Sequence, residues 1–404
     1  MKVTDVKEIR KRSKQQSGIT LVALVVTVVV LLILAGVSIR LVLDNNGIIK
    51  KPEEAKDKYT QGKANDQTDI DFAEDYIEQM TGENSDGGIK TKTLTEAKED
   101  SMVNRIEKSK VKFSDGTVII PEKFKIANDS ANNVAGGVVI EDKDGNQFVW
   151  IPVDSVVDYK RVAYSSNTAT GTIDTDTNSE KIKWYSSAPS SCYYIEKMPE
   201  DEKESIEKYH GYYIGRYEAG DKESTEAEEP TMRTNESSTT NTVTVKKGQV
   251  PYEYVRKSNA VSLAKNMKEN QGYIATTKLC SSYAWDTAIE FIQKTNKNYG
   301  NSSKEDNYED TEFSYTDIKG KKKPKALNSK VLVPTGQTTP VCNIYDMGGN
   351  LMEWTTERCK GGRDLVTVRG GWYGLDYSDF PAGARNDGSA DAYGGYGFRV
   401  TLFM

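Results

Sequence analysis

At 404 residues the chain is long enough for two or more domains of roughly 100–200 residues each. Its formal charge of −6, with no clustered basic face in its body, argues against nucleic acid as a partner. The single histidine, His210, leaves little room for Ser-His-Asp, Cys-His or His-based metal chemistry. Set in Tyr209-His-Gly-Tyr-Tyr213, it reads as a packed or surface residue rather than a catalyst.

Residues 1–18 are basic, with Lys2, Lys7, Arg10, Lys11, Arg12 and Lys14 against Asp5 and Glu8. Ser17-Gly18 then opens an uncharged run from Ile19 to Ile39, long enough to cross a bilayer as a helix, with the basic leader held in the cytoplasm. A secretory signal peptide has its small-residue cleavage site after the apolar run; here Gly18 stands before it. That order resembles the prepilin leader of type IV pilins and pseudopilins. The resemblance implies cleavage by the prepilin peptidase between Gly18 and Ile19, methylation of the new amine, and retention of residues 19–43 as a transmembrane or pilin-like helix. The sequence departs from that family at the fifth mature position, where Ala23 stands in place of the usual Glu. Assembly as a major pilin is therefore in doubt, and a minor or tip subunit and an uncleaved signal anchor are the alternatives.

Asp44-Asn-Asn-Gly47 is a turn signal, and Pro52-Glu-Glu-Ala55 has the proline and acids of a helix start. Residues 44–81 read as a helical stalk with a narrow apolar face, and residues 82–110 as a linker. From residue 111 to 404 short β-type runs alternate with Gly, Asn and Asp turns: Val118-Ile-Ile120, Gly137-Val-Val-Ile140 and Gln147-Phe-Val-Trp-Ile151, the last two joined by the hairpin signal Asp142-Lys-Asp-Gly-Asn146. Amphipathic helices are predicted within Ser258–Glu269 and over Tyr283–Ile292. Residues 222–248 and 295–330 read as polar surface insertions, the run Lys319-Gly-Lys-Lys-Lys-Pro-Lys325 among them as a solvated loop. The fold class is α+β.

Cys192, Cys280, Cys342 and Cys359 show no CxxC spacing, which argues against zinc. They allow three disulfide pairings, of which Cys342–Cys359, flanking one motif, is favoured.

Six segments occur in one order: Phe148-Val-Trp-Ile-Pro152, Gly211-Tyr-Tyr-Ile-Gly-Arg-Tyr-Glu218, Ser282-Tyr-Ala-Trp-Asp-Thr-Ala288, Asn343-Ile-Tyr-Asp-Met-Gly-Gly-Asn-Leu-Met-Glu-Trp354, Val368-Arg-Gly-Gly-Trp372 and Gly397-Phe-Arg-Val400. In this they resemble the formylglycine-generating-enzyme (sulfatase-modifying-factor) branch of the C-type lectin fold. Within them Asn350, Glu353, Trp354, Arg369, Gly370, Gly371, Trp372, Gly397, Phe398 and Arg399 read as structural. The glycines suit tight turns, the aromatics fill the core, and Arg369, Arg385 and Arg399 pair with Glu353, nearby Asp residues or backbone carbonyls. Enzymes of that family carry a copper-binding cysteine pair just after the Arg-Gly-Gly segment. No cysteine follows Arg369 here, and neither Tyr nor Asp replaces a thiolate, so no catalytic residue and no required cofactor is expected. The resemblance leaves structural calcium open, with no ligands placed.

Residues 373–396 lack Lys, Glu, Gln, Met, Ile and Val and are dominated by Tyr, Gly, Ser, Asn and Asp, the composition of an antibody paratope. Their place near the C-terminus resembles the variable region of diversity-generating-retroelement proteins, where adenine-directed mutagenesis excludes Lys, Glu, Gln, Met and Trp. That resemblance implies a ligand-binding set: Tyr373, Leu375, Asp376, Tyr377, Asp379, Phe380, Asn386, Asp387, Ser389, Asp391, Tyr393 and Tyr396. The bland alternative is an ordinary Gly/Asp-rich loop. The expectation is a displayed adhesin or receptor on a bacterial, Gram-positive surface, anchored through residues 19–39 or associated with pilus subunits. Its ligand would be a protein or glycan on another cell, phage or host. A structural pilus or pseudopilus subunit is the alternative, and a formylglycine-generating-type oxidase the weakest reading.

Overall fold

The computed structural model describes residues 89–101, 107–162, 164, 172–176, 179–183, 193–224, 236–360, 366–388 and 390–404. All belong to the unit running from Asp86 to Met404. The leader, the 19–43 span, the 44–81 stalk and Cys192 lie outside the described residues. Among the described residues no helix is long and apolar enough to cross a membrane.

The strands used below, in chain order, are β1 (Lys125–Ile126), β2 (Val139–Glu141), β3 (Gln147–Pro152), β4 (Gly211–Gly215), β5 (Thr276–Leu279), β6 (Met352–Trp354), β7 (Val366–Arg369), β8 (Arg385–Gly388), β9 (Tyr396–Phe398) and β10 (Val400–Phe403). The helices are α1 (Leu94–Glu99), α2 (Glu200–Tyr209), α3 (Lys257–Gln271) and α4 (Ser282–Gln293).

One antiparallel sheet has the order β5-β10-β4-β3-β2-β1. Its central strands read as unbroken apolar runs because both faces are covered. Phe148, Trp150, Tyr213, Val400 and Leu402 point into one core, which Ala260, Leu263, Ala264 and Met267 of α3 help to build. Val149, Ile151, Tyr212, Ile214 and Phe403 point into the other, roofed by Ala284, Trp285, Ala288 and Ile292 of α4. The β2–β3 hairpin forms where expected. Asp142 Oδ1 accepts from the amides of Asp144 and Asn146, and Oδ2 accepts from Asn146 Nδ2 and, at 2.6 Å, from the Tyr273 hydroxyl. Both predicted helices are present, slightly longer than expected, and α4 is capped by Ser281 Oγ on the Ala284 amide.

A second sheet has the order β8-β7-β6-β9, with β6 and β9 parallel. It gathers the Gly-Asn-x-x-Glu-Trp, Arg-Gly-Gly and Gly-Phe-Arg segments into one layer and holds residues 370–395 between its strands. Trp354 and Phe398 are fully buried, as their size predicts.

Four expectations change. Within the expected linker, Lys90–Thr91 pairs with Ser109–Lys110, and α1 is closed by a Thr93/Glu96 capping box over the buried Ala97. The insertion 295–330 is partly interior, because Tyr299, Ser303, Asp306, Asn307 and Tyr308 are buried, and Tyr299, Ser303 and Asp306 bond one another. Tyr299 donates to Asp306 Oδ2 at 2.6 Å, Ser303 Oγ to Tyr299 O at 2.8 Å, and Asn307 Nδ2 to Asn350 Oδ1 at 2.9 Å. The basic run is the second arm of a hairpin (Phe313–Thr316 with Lys322–Lys325), and its last lysine, Lys325, is buried and donates to Thr311 O at 2.5 Å. No Cys342–Cys359 bridge exists: Cys342 is a buried thiol donating to Thr295 Oγ1 at 3.4 Å, whereas Cys359 lies on a strand paired with Tyr193–Ile195.

Candidate ligand-binding face

The loop 373–396 is built on a polar scaffold. The turn before β6 runs through left-handed backbone at Asp346, Gly349 and Asn350. A Cβ on Gly349 would fall 2.2 Å from the Asn307 carbonyl oxygen, so only glycine fits. Asn350 is the hub. Its amide nitrogen donates to Glu218 Oε2 at 2.6 Å and to Val333 O at 3.2 Å, and its Oδ1 accepts from the amide of Val333 and from Asn307 Nδ2. Its own carbonyl accepts the amide of Tyr373 at 3.1 Å, which starts the loop.

Two buried ionic groups frame the base. In the first, Arg399 holds Glu353 with two bonds at 2.7 and 3.1 Å and donates onward to the carbonyls of Gly215, Tyr345 and Asp346. Burial lifts Glu353 to about 7 although Arg399 opposes it. In the second, Asp286 of α4 accepts from Arg369 Nη2 at 2.5 Å and from Arg385 Nη2. Glu357 accepts from Arg385 Nε at 3.0 and 3.1 Å and from Arg161 Nε at 3.0 Å. Burial would raise Glu357, but Arg385, Arg161 and Arg369 together hold it at about 2. Arg399 thus pairs as expected with Glu353, whereas the main partner of Arg369 and Arg385 lies on a helix far upstream in the chain.

The loop backbone is pinned from below by the insertion. Leu375 O accepts the Glu309 amide at 3.0 Å, Phe380 O accepts the Tyr308 hydroxyl at 2.7 Å, and the amide of Tyr377 donates to Asp310 Oδ1 at 3.2 Å. Ala382 is held by Ser303 Oγ on its amide and Trp285 Nε1 on its carbonyl. On the other flank Arg256, at the N-terminus of α3, donates to Asp391 Oδ1 at 2.7 Å.

The expected ligand-binding residues therefore separate. Asp376, Asp379, Asp391 and Tyr393 are exposed, Tyr393 by 49%. Leu375, Tyr377, Phe380, Asn386 and Tyr396 are half-buried. Asn386 and Asp387 lie on β8 opposite Val368 and Thr367, and Ser389 lies outside the described residues. Tyr373 is corrected to an inward position, because it is only 2% exposed and packs edge-on against Trp372 at 4.8 Å. The supporting residues Tyr308, Ser303 and Asp310 escaped the sequence reading, which placed them in a polar insertion.

The copper pair of the formylglycine-generating enzymes does not fit here. After Arg369 the loop presents Leu375, Tyr377 and Phe380, none a thiolate donor, while Cys280 and Cys342 are buried elsewhere with thiols raised by desolvation. Among the described residues no group of three or more His, Cys, Asp or Glu side chains is placed to hold a metal ion.

Residues 193–402, just over half the chain, match the sulfatase-modifying factor enzyme 1-like (FGE-sulfatase) domain. The chain belongs to this family, with its C-type-lectin-like fold. No curated protein matches it. Among solved structures, CarF is 14% identical over 48% of this chain and 87% of its own, at a TM-score of 0.33. PvdO from Pseudomonas aeruginosa is 16% identical over 66% and 98%, at 0.34. Treponema denticola variable protein 1 is 14% identical over 59% and 100%, at 0.29. Likenesses this distant carry no functional argument.

Proposed function

We propose that this chain is a displayed ligand-binding protein whose loop 373–396 meets variable targets, with no catalytic role. One observation carries the reading. The loop's backbone is tied to a buried polar scaffold while Asp376, Asp379, Asp391 and Tyr393 face outward, which divides a fixed frame from replaceable side chains. Binding surfaces made from loops on rigid frames work in this way, and Tyr with small polar residues gives contact area at low entropic cost. The half-buried Leu375, Tyr377, Phe380, Asn386 and Tyr396 extend the face once a ligand covers them. The N-terminal segment supports the rest of the proposal: an apolar span after a Gly18-Ile19 junction would hold the domain at a bacterial surface as a minor pilin or membrane-anchored receptor. A protein or glycan target fits such a face.

The test is deep sequencing of the gene's 3′ end across sibling cells and close strains. The expected result is substitution confined to codons of outward residues such as Asp376, Asp379, Asp391 and Tyr393. The codons of Gly371, Gly383 and Arg385, which are buried in the frame, stay fixed. Substitutions scattered evenly over frame and face would remove the diversified reading.

A further inference from the structure

An open cleft of about 440 Å³ lies outside the loop, with no residue of 373–396 in its lining. One wall is apolar, formed by Ile195, Met198 and Pro199 at the entry to α2. The floor carries Glu196, whose Oε2 accepts the amide of Ser282 at 2.8 Å and whose Oε1 accepts the Thr356 hydroxyl. Burial, and then the ionised Glu357 nearby, lift Glu196 to about 8, so at neutral pH it is mainly the uncharged acid. Three cations line the cleft, the exposed Lys197 among them, and they differ in how they are used. Lys278 is bound to Asp201 at 2.9 Å and to Glu202 at 3.0 Å. Arg358 is exposed and makes no ion pair among the described residues. Just behind, Lys257 donates to Glu357 O at 2.9 Å. Burial holds Lys257 down to about 8, the acids Glu196 and Glu357 oppose that, and Arg358 adds to the lowering.

We propose that this cleft binds a small carboxylate: the acid group on Arg358, and the hydrocarbon part against Met198 and Pro199. A guanidinium with free donors matches a carboxylate bidentately. The three acids of the lining are muted, Glu200 by Lys203 at 3.1 Å, Glu202 by Lys278 at 3.0 Å and Glu196 by the burial that favours its protonated form, and the apolar wall gives the ligand little reason to be a bare inorganic ion. The site is separate from the face proposed above and stands or falls without it.

Calorimetric titration of the full-length chain at neutral pH with hexanoate, hexanamide and inorganic phosphate tests this. Hexanoate is expected to bind saturably near or below about 1 mM, the weak end of specific affinity. Arg358→Ala should weaken it about tenfold or more, the loss of one charge-assisted bond. Lys265→Ala, an exposed change on α3 outside the lining, should leave it unchanged. A peptide with a free C-terminus, compared with its amide, distinguishes a chain end from a free acid as the source of the carboxylate, and preference for either supports the site. Absence of saturable hexanoate binding, equal affinity for hexanamide or phosphate, or indifference to Arg358→Ala overturns it.

Discussion

Arg385 and Asp391 belong to the same loop, a few residues apart, and their charges are handled in opposite ways. Arg385 is fully buried, with Asp286 and Glu357 on its donors and Val162 O on its Nη1 at 2.8 Å. Asp391 is exposed and meets Arg256 on the surface at 2.7 Å. Water screens the second pair, and its loss is absorbed by solvent; no water reaches the first, so each partner there is obligatory. The frame is thus intolerant of change and the face tolerant, which is the division that a replaceable binding surface needs.

The sharpest break in this comparison is Asp286→Ala. It leaves Arg369 and Arg385 facing each other in the interior without their shared carboxylate, and should cost about 3–5 kcal/mol in a denaturant titration. A cost under about 1 kcal/mol, the usual range for a surface pair, would erase the distinction between frame and face. Tyr373→Ala comes next, at roughly 3 kcal/mol, because it empties a buried ring site beside Trp372. Its effect on binding would therefore report loss of fold.

Acidity sharpens the same contrast inside the frame. Glu357 sits at about 2, below the ordinary carboxylate value of 4.5, so its stabilisation is present above 4.5 and disappears as pH falls through 2. Glu353 at about 7 and Glu196 at about 8 have the opposite sign. For them the folded state keeps a proton that the unfolded chain has released, so stability declines as pH rises from about 4.5 toward 8. Melting temperature measured against pH should accordingly fall on both sides of a mildly acidic maximum. Glu196→Gln should flatten the alkaline limb, and Glu357→Gln should lower the whole curve and flatten the acid limb. An alkaline limb unaltered by Glu196→Gln would mean that Glu196 is ionised at neutral pH.

Much of the frame was legible in the sequence because its signals are local. The Asp142–Asn146 hairpin, the Ser281-capped helix and the buried Trp354 and Phe398 each follow from turn chemistry, periodicity or size. What escaped depends on distance along the chain. Asp286 looks like a solvent-side residue of an amphipathic helix until Arg369 and Arg385 arrive from β7 and β8. Tyr299, Ser303 and Asp306 look like loop until they close on one another beneath the face. The composition of 373–396 marked a surface, but composition cannot tell an inward tyrosine from an outward one. That depends on the Trp372 ring, against which a Cβ on Gly374 or Gly395 would come within 3.2 or 2.8 Å.

The smallest expected change in stability is the most informative about function. Tyr393 is 49% exposed, with its ring 5.2 Å from that of Tyr396, which in turn stands edge-on to Trp354 at 4.9 Å. Tyr393→Ala removes the outermost ring of this series and leaves the inner two seated, so it should alter folding stability by no more than about 0.5 kcal/mol. If the face binds through its tyrosines, the same change removes a contact of hot-spot type, about 2 kcal/mol or more of affinity. Binding of the full-length chain to an array of cell-surface glycans and proteins, read with and without the substitution, separates the cases. Capture lost at unchanged melting temperature places the ligand on this ring. Capture retained moves the contact toward Asp376 and Asp379, or off the loop altogether, and the ordinary Gly/Asp-rich loop becomes the better description of 373–396.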